Sequence, residues 1–286
     1  LLGNGDGTFG PKTDFATGTK PYSIQLGDVN GDGKLDLITA NYGSNNASVL
    51  LGNGNGTFGP KTDFATGIKP YSIQLGDING DGKLDIVTAN YGSNNASVLL
   101  GNGNGTFGPK TDFALGSRPT SIQLGDLNSD GKLDIVATNQ PDNNVSVLLA
   151  NGGNSIELNV LRTSAEASYL SLGSTAPSLR DIKMVDLNGD GNMDVVTSNY
   201  NAGCVTVAFG LPPGQTFGPG NSIFNPFVDV SVGTGNNPYG IQVADINRDG
   251  NQDIVASSPK NGRFVVLLGN GDGKFKTPTN ITSSAN

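Results

Sequence analysis

Five segments of this 286-residue chain share the pattern Asp-x-Asn-x-Asp-Gly-x-x-Asp, which places the oxygen donors a hard cation needs within nine residues. Side chains at positions 1, 3, 5 and 9 and the main-chain carbonyl at position 7 supply five oxygens. Gly at position 6 permits the tight turn. The first loop offers Asp28, Asn30, Asp32, Asp36 and the Lys34 carbonyl, and the second Asp77, Asn79, Asp81, Asp85 and the Lys83 carbonyl. The third offers Asp126, Asn128, Asp130, Asp134 and the Lys132 carbonyl. Asp186, Asn188, Asp190, Asp194 and the Asn192 carbonyl form the fourth set, and Asp245, Asn247, Asp249, Asp253 and the Asn251 carbonyl the fifth. Oxygen-only ligation with three carboxylates favours Ca²⁺ over Mg²⁺, which keeps its water, and over transition metals, which prefer nitrogen or sulfur. The expected cofactor is therefore about five structural calcium ions, one per loop.

An EF-hand loop begins the same way but takes an acidic residue at position 12. Here that position holds Thr39, Thr88, Ala137, Thr197 or Ala256. A plain hairpin turn would explain Asn-Gly and Asp-Gly in one copy, but not five complete ligand sets. Other chemistries are excluded by composition. Without histidine there is no Ser-His-Asp or Cys-His catalytic site and no imidazole-bound zinc. The single Cys204, inside the apolar run CVTVAFG, reads as a buried, inert thiol. Ten acidic residues lie outside the loops, and none forms a recognisable catalytic pair, so an enzyme, for example a polysaccharide-active one, is the least supported reading. A formal charge of −8 argues against a nucleic acid partner, and no apolar run is long enough for membrane insertion.

The elements that must carry these loops emerge from self-comparison. Residues 19–67 and 68–116 align without a gap and differ at five positions, and the leading loop aspartates are spaced by 49, 49, 60 and 59 residues. Each repeat reads as four short strands. SIQLGD before the loop alternates apolar and polar residues; DLITAN after it is a continuous run suited to burial on both faces. ASVLLGNG follows, then a turn rich in Asn and Gly, then the more polar KTDFATG. A four-stranded antiparallel unit of about 50 residues repeated in tandem predicts an all-β fold, a β-propeller of four-stranded blades. The expected organisation is a single propeller domain over 1–286, with blades at 19–67, 68–116, 117–176, 177–235 and 236–286. Residues 1–18 are expected to be the last two strands of a partial blade, belonging with blades upstream or pairing with another subunit by strand addition. The longer third and fourth repeats predict elaborated outer strands at 154–180 and 211–238.

With strand, acidic loop and strand repeated five times, and Phe-Gly at Phe58/Gly59, Phe107/Gly108 and Phe217/Gly218, the sequence resembles the FG-GAP, or VCBS-type, repeat of integrin α-subunit propellers and many bacterial surface proteins. The fifth repeat departs from it with Phe275-Lys276. The resemblance implies calcium on the lower face of a propeller that usually has seven blades.

Six of the seven tyrosines then fall on the opposite, upper face: Tyr42, Tyr91 and Tyr200 after the second strand, and Tyr22, Tyr71 and Tyr239 at the start of the first. They are candidate ligand-binding residues for a protein or glycan, or alternatively rings wedged between blades. Asn-x-Ser/Thr sequons occur at Asn46, Asn55, Asn95, Asn104, Asn144 and Asn280. The expected role is a secreted or cell-surface binding, adhesion or structural module, with a lectin and a self-associating filament subunit as alternatives. An extracellular location is expected because such loops often bind calcium at ~10⁻⁴–10⁻³ M.

Overall fold

A computed structural model describes residues 1–150, 158–160, 162–163, 166–167, 169–171, 178–215, 224–225 and 227–282. They form two compact units, Leu1–Asp77 with Asp81–Asp112, and Ile78–Gly80 with Phe113–Asn286.

The first repeat folds as an antiparallel sheet of β1 (Pro21–Gly27), β2 (Asp36–Asn41), β3 (Asn46–Leu50) and β4 (Thr62–Ala65), in sequence order. The second repeats it with β5 (Pro70–Gly76), β6 (Asp85–Asn90), β7 (Asn95–Leu99) and β8 (Thr111–Ala114). Every residue of β6 is buried, as its unbroken apolar and β-branched sequence predicts, whereas β4 and β8 are largely exposed. Across the two blades, Ile38, Ala40, Ala47 and Val49 pack with Ile73 and Ile86. Each fully buried isoleucine contributes roughly 1.5–3 kcal/mol. Polar ties accompany the packing: Gln25 Nε2 donates to the Ile73 carbonyl at 3.2 Å, and the Gly67 amide to Ser97 Oγ at 2.9 Å.

In the second unit, β9 (Pro119–Gly125), β10 (Asp134–Asn139) and β11 (Asn144–Ala150) form the third sheet. Its outer position is shared by β12 (Leu158–Val160) and a later strand that both pair with β11, and between them lies the hairpin of β13 (Arg162–Thr163) and β14 (Glu166–Ala167). That later strand is β15 (Tyr169–Ser171). In sequence, the β13–β14 hairpin thus lies between the two strands that share the outer position of the third sheet. The fourth sheet is β16 (Leu179–Val185), β17 (Asp194–Asn199), β18 (Cys204–Ala208) and β19 (Val228–Ser231). The fifth is β20 (Ile241–Ala244), β21 (Asp253–Ser258), β22 (Arg263–Leu267) and β23 (Thr279–Thr282). Asp181 on β16 ties three first strands together, accepting from Ser121 Oγ at 3.0 Å and from the Ile241 amide at 2.9 Å.

Residues 1–18 contain the isolated bridge Gly3 to Phe9, the counterpart of the Gly52–Phe58 and Gly101–Phe107 bridges of the next repeats, and Thr13–Ala16, at the position of β4 and β8, form no ladder. Phe15 still packs edge-to-face on Phe58 at 5.2 Å, as Phe64 does on Phe107. In the fourth repeat the Phe that closes the turn after the third strand is Phe224, bridged to Gly210. Phe217-Gly218 lies outside the described residues, as does much of the expected elaboration at 154–180 and 211–238. Phe-Gly itself is dispensable, since Asn225 and Lys276 make the same backbone bond, to Phe209 and Leu268, that Gly59 makes to Leu51, each at 2.8 Å.

Candidate metal loops and an aromatic rim

The acidic loops connect the first and second strands of every blade. In blade 1 the strand register runs from Pro21 opposite Asn41 to Gly27 opposite Asp36, so the loop lies at one end and the tyrosines at the other. Seven strand residues separate the ends by about 20 Å.

Within the first loop, Asp28 organises the turn as an acceptor. Its Oδ1 takes the amides of Gly31 (2.8 Å) and Asp32 (3.2 Å), and its Oδ2 takes that of Gly33 (2.8 Å). Gly31 and Gly33 adopt φ of 74° and 78°, a region a side chain enters at a cost. Asp77, Asp126, Asp186 and Asp245 bind the position-6 amide in the same way, at 2.7 to 2.9 Å. At position 4, where three loops have Gly, the third and fifth force Ser129 (φ 59°) and Arg248 (φ 63°) into the left-handed region.

Position 9 has a role that spacing did not reveal. Asp36 is fully buried; its Oδ2 accepts the Val29 amide at 2.9 Å and its Oδ1 the Gly52 amide at 2.8 Å. One carboxylate thereby fastens the loop to the end of the third strand. The same pair of bonds recurs at Asp134, Asp194 and Asp253, and Asp85 holds the Gly101 amide at 2.8 Å. A Cβ on Gly52 would run into the Leu35 carbonyl oxygen, so this glycine is a close-approach position.

The electrostatics of the loops are those of crowded anions. Burial pushes Asp134 up to about 6, backbone amides of Ala150 and Leu127 pull against it, and Asp130 and Asp126 raise it further. Asp194 is likewise pushed up to about 6, by burial and then by Asp190 and Asp186, against the amides of Gly210 and Leu187. Asp32, exposed, is held below its ordinary range, chiefly by Lys34. Among the described residues no three carboxylates converge into a preformed cluster; their oxygens are turned onto amides. The donor set nonetheless fits a hard cation: each carboxylate oxygen has a second lone pair, and mutually repelling carboxylates gain from a shared positive charge.

At the other end, four of the six candidate tyrosines form one cluster in the first unit. Tyr22 stacks on Tyr42 (centroids 4.6 Å apart) and tilts against Tyr71 (5.0 Å), and Tyr91 contacts both Tyr71 (5.8 Å) and Tyr42 (6.3 Å). The rings therefore bridge adjacent blades; Tyr22 is 52% exposed and the other three are half-buried. Lys69 Nζ lies 5.6 Å from the Tyr42 centroid. In the second unit Tyr200 and Tyr239 meet edge-to-face at 6.3 Å, with the Arg180 guanidinium within 5.6 Å of both. The sequence placed the rings but not the cations between them. The sequons divide too: Asn55 and Asn104 are exposed in turns, whereas Asn46, Asn95 and Asn144 accept hydrogen bonds from Asn41, Asn90 and Asn139.

The FG-GAP-like repeat pattern matches five overlapping stretches, residues 1–39, 28–88, 77–137, 126–197 and 186–256. The chain belongs to the FG-GAP-like repeat family. Its fold is that of β-propellers, built here from FG-GAP blades. A lectin of Agrocybe aegerita, described as specific for non-reducing terminal N-acetylglucosamine, is 23% identical with a TM-score of 0.64, over 99% of this chain and 74% of the lectin. The periplasmic gluconolactonase of Pseudomonas aeruginosa is 15% identical with a TM-score of 0.60, over 92% and 71% of the two chains. The biofilm matrix protein Bap1 of V. cholerae is 19% identical with a TM-score of 0.50, over 92% of this chain and 39% of Bap1. At these identities the likeness is one of fold, and it spans binding proteins and enzymes alike. No curated protein matches the chain in sequence.

Proposed function

We propose that this FG-GAP repeat chain is a calcium-stabilised propeller that acts as a secreted or cell-surface binding module, in adhesion or as a structural part of an extracellular assembly. The observation that carries the reading is the recurrence of the complete donor set in all five loops, each at the same strand junction. Bound calcium would be held by positions 1, 3, 5 and 9 and the position-7 carbonyl, and would supply charge neutralisation rather than reaction chemistry. Five ions carry the formal charge from −8 to +2, two positive charges per ion. Melting the protein in calcium and in excess EDTA tests this. A marked fall in melting temperature on chelation is expected, and an unchanged melt refutes it.

A lectin is the second reading, favoured by the Tyr cluster and by the sugar-binding propeller among the structural neighbours. Catalysis is not part of the proposal. The chain has no histidine, and its propeller fold is shared by enzymes and lectins without deciding between them.

A further inference from the structure

We propose that the aromatic rim of the first unit is a site for an acidic saccharide, a chain of uronate-type sugars bearing ring carboxylates. The inference rests on the binding-module reading above and assigns its ligand class. In a protein of formal charge −8, the four segments that form the rim, residues 18–22, 41–46, 67–71 and 90–95, contain Lys20 and Lys69 and no acidic residue. The carboxylates of the metal loops are about 20 Å away, at the far end of the strands, beyond one to two screening lengths at 0.1 M salt. Asp63 and Asp112, which accept from Ser48 and Ser97 behind the rim, are each paired with a lysine, Lys61 and Lys110, so the uncompensated charge at the rim is that of Lys20 and Lys69.

Its geometry is also fixed. Lys20 and Lys69 stand directly before Pro21 and Pro70 and are held in the left-handed region, at φ of 54° and 56°. Such strain persists only where surrounding contacts enforce it. Here the Lys20 carbonyl accepts the Tyr42 amide at 2.9 Å, the Lys69 carbonyl accepts the Tyr91 amide at 3.0 Å, and the Lys69 amide donates to Asn45 Oδ1 at 2.8 Å. Each lysine backbone is therefore locked to a tyrosine of the cluster. Both lysines and Tyr22 remain exposed, and Tyr42, Tyr71 and Tyr91 are half-buried against one another. Rings of this kind suit the C–H faces of a pyranose, and the ammonium groups supply charge-assisted bonds to its carboxylates. A neutral sugar would use the rings alone.

Titration calorimetry with tetragalacturonate and neutral chitotetraose, in calcium and at low salt, tests the assignment. The parent should bind tetragalacturonate, weakening several-fold at 0.5 M NaCl. Lys20→Ala/Lys69→Ala should weaken it at least tenfold and change chitotetraose binding less than twofold. Tyr22→Ala, at the exposed ring, should weaken both, and the lysine variant should melt within a few degrees of the parent. Equal tetragalacturonate affinity in the lysine variant overturns the site. Chitotetraose binding without tetragalacturonate binding overturns the acidic class and leaves a glycan-binding module standing; binding of neither overturns the saccharide assignment and the lectin reading together.

Discussion

Asp36→Asn separates the buried clamp formed by the last acidic residue of a loop from the metal ligation proposed for it. In the native loop each Asp36 oxygen accepts one buried amide, from Val29 and from Gly52. Asparagine keeps one acceptor and presents an N–H₂ donor to the other amide. One charge-assisted bond, worth about 1.5–3 kcal/mol, is lost, and a buried amide is left unsatisfied at about 1–3 kcal/mol. The expected loss is about 3–5 kcal/mol, or roughly 10 °C in melting temperature. The decisive assay is thermal melting in excess EDTA, where metal ligation contributes nothing. Asp32→Asn is the control: Asp32 is exposed, pairs through its side chain with Lys34 at 3.1 Å, and should melt within about 2 °C of the parent under those conditions. If Asp36→Asn melts with the parent in EDTA, position 9 acts only through the metal, and the buried-clamp argument fails.

Arg248→Gly and Ser129→Gly should each raise stability by about 1 kcal/mol, measured by urea unfolding at fixed calcium, because they relieve left-handed strain that three sister loops avoid with Gly; a loss of stability at both would contradict this. Cys204 should be nearly unreactive in the folded protein. Burial and then Asp229 push its thiol up to about 11, so at pH 8 the thiolate is roughly 100-fold scarcer than in the unfolded chain. Alkylation with iodoacetamide should accelerate by at least that factor on denaturation, and comparable rates in the two states would count against a buried thiol.

Much of the fold was legible because the signals are local and repeated. The apolar run DIVTAN predicts the fully buried β6, and the polar TDFA predicts the exposed β8. The acidic loops fall where their spacing puts them, between first and second strands. What stayed hidden depends on contacts distant in sequence. Nothing in the spacing of Asp36 foretells that it holds the Gly52 amide sixteen residues on. Phe224 could not be distinguished from Phe217 by motif, since only the bridge to Gly210 identifies the one that closes the turn. Strand order puts the tyrosines at the same end of their strands, whereas the contact of Tyr22 with Tyr71 across blades, and of Lys69 with Tyr42 and Arg180 with Tyr200, depends on three-dimensional packing within each unit.

Calcium binding in all five loops follows from the proposed function. Isothermal titration of Ca²⁺ into metal-stripped protein, with bound metal counted by elemental analysis after dialysis, tests it most directly. About five ions per chain are expected, one per loop, falling by one when Asp28→Ala and Asp32→Ala are combined in the first loop. No binding heat and no retained calcium at millimolar Ca²⁺ would contradict it.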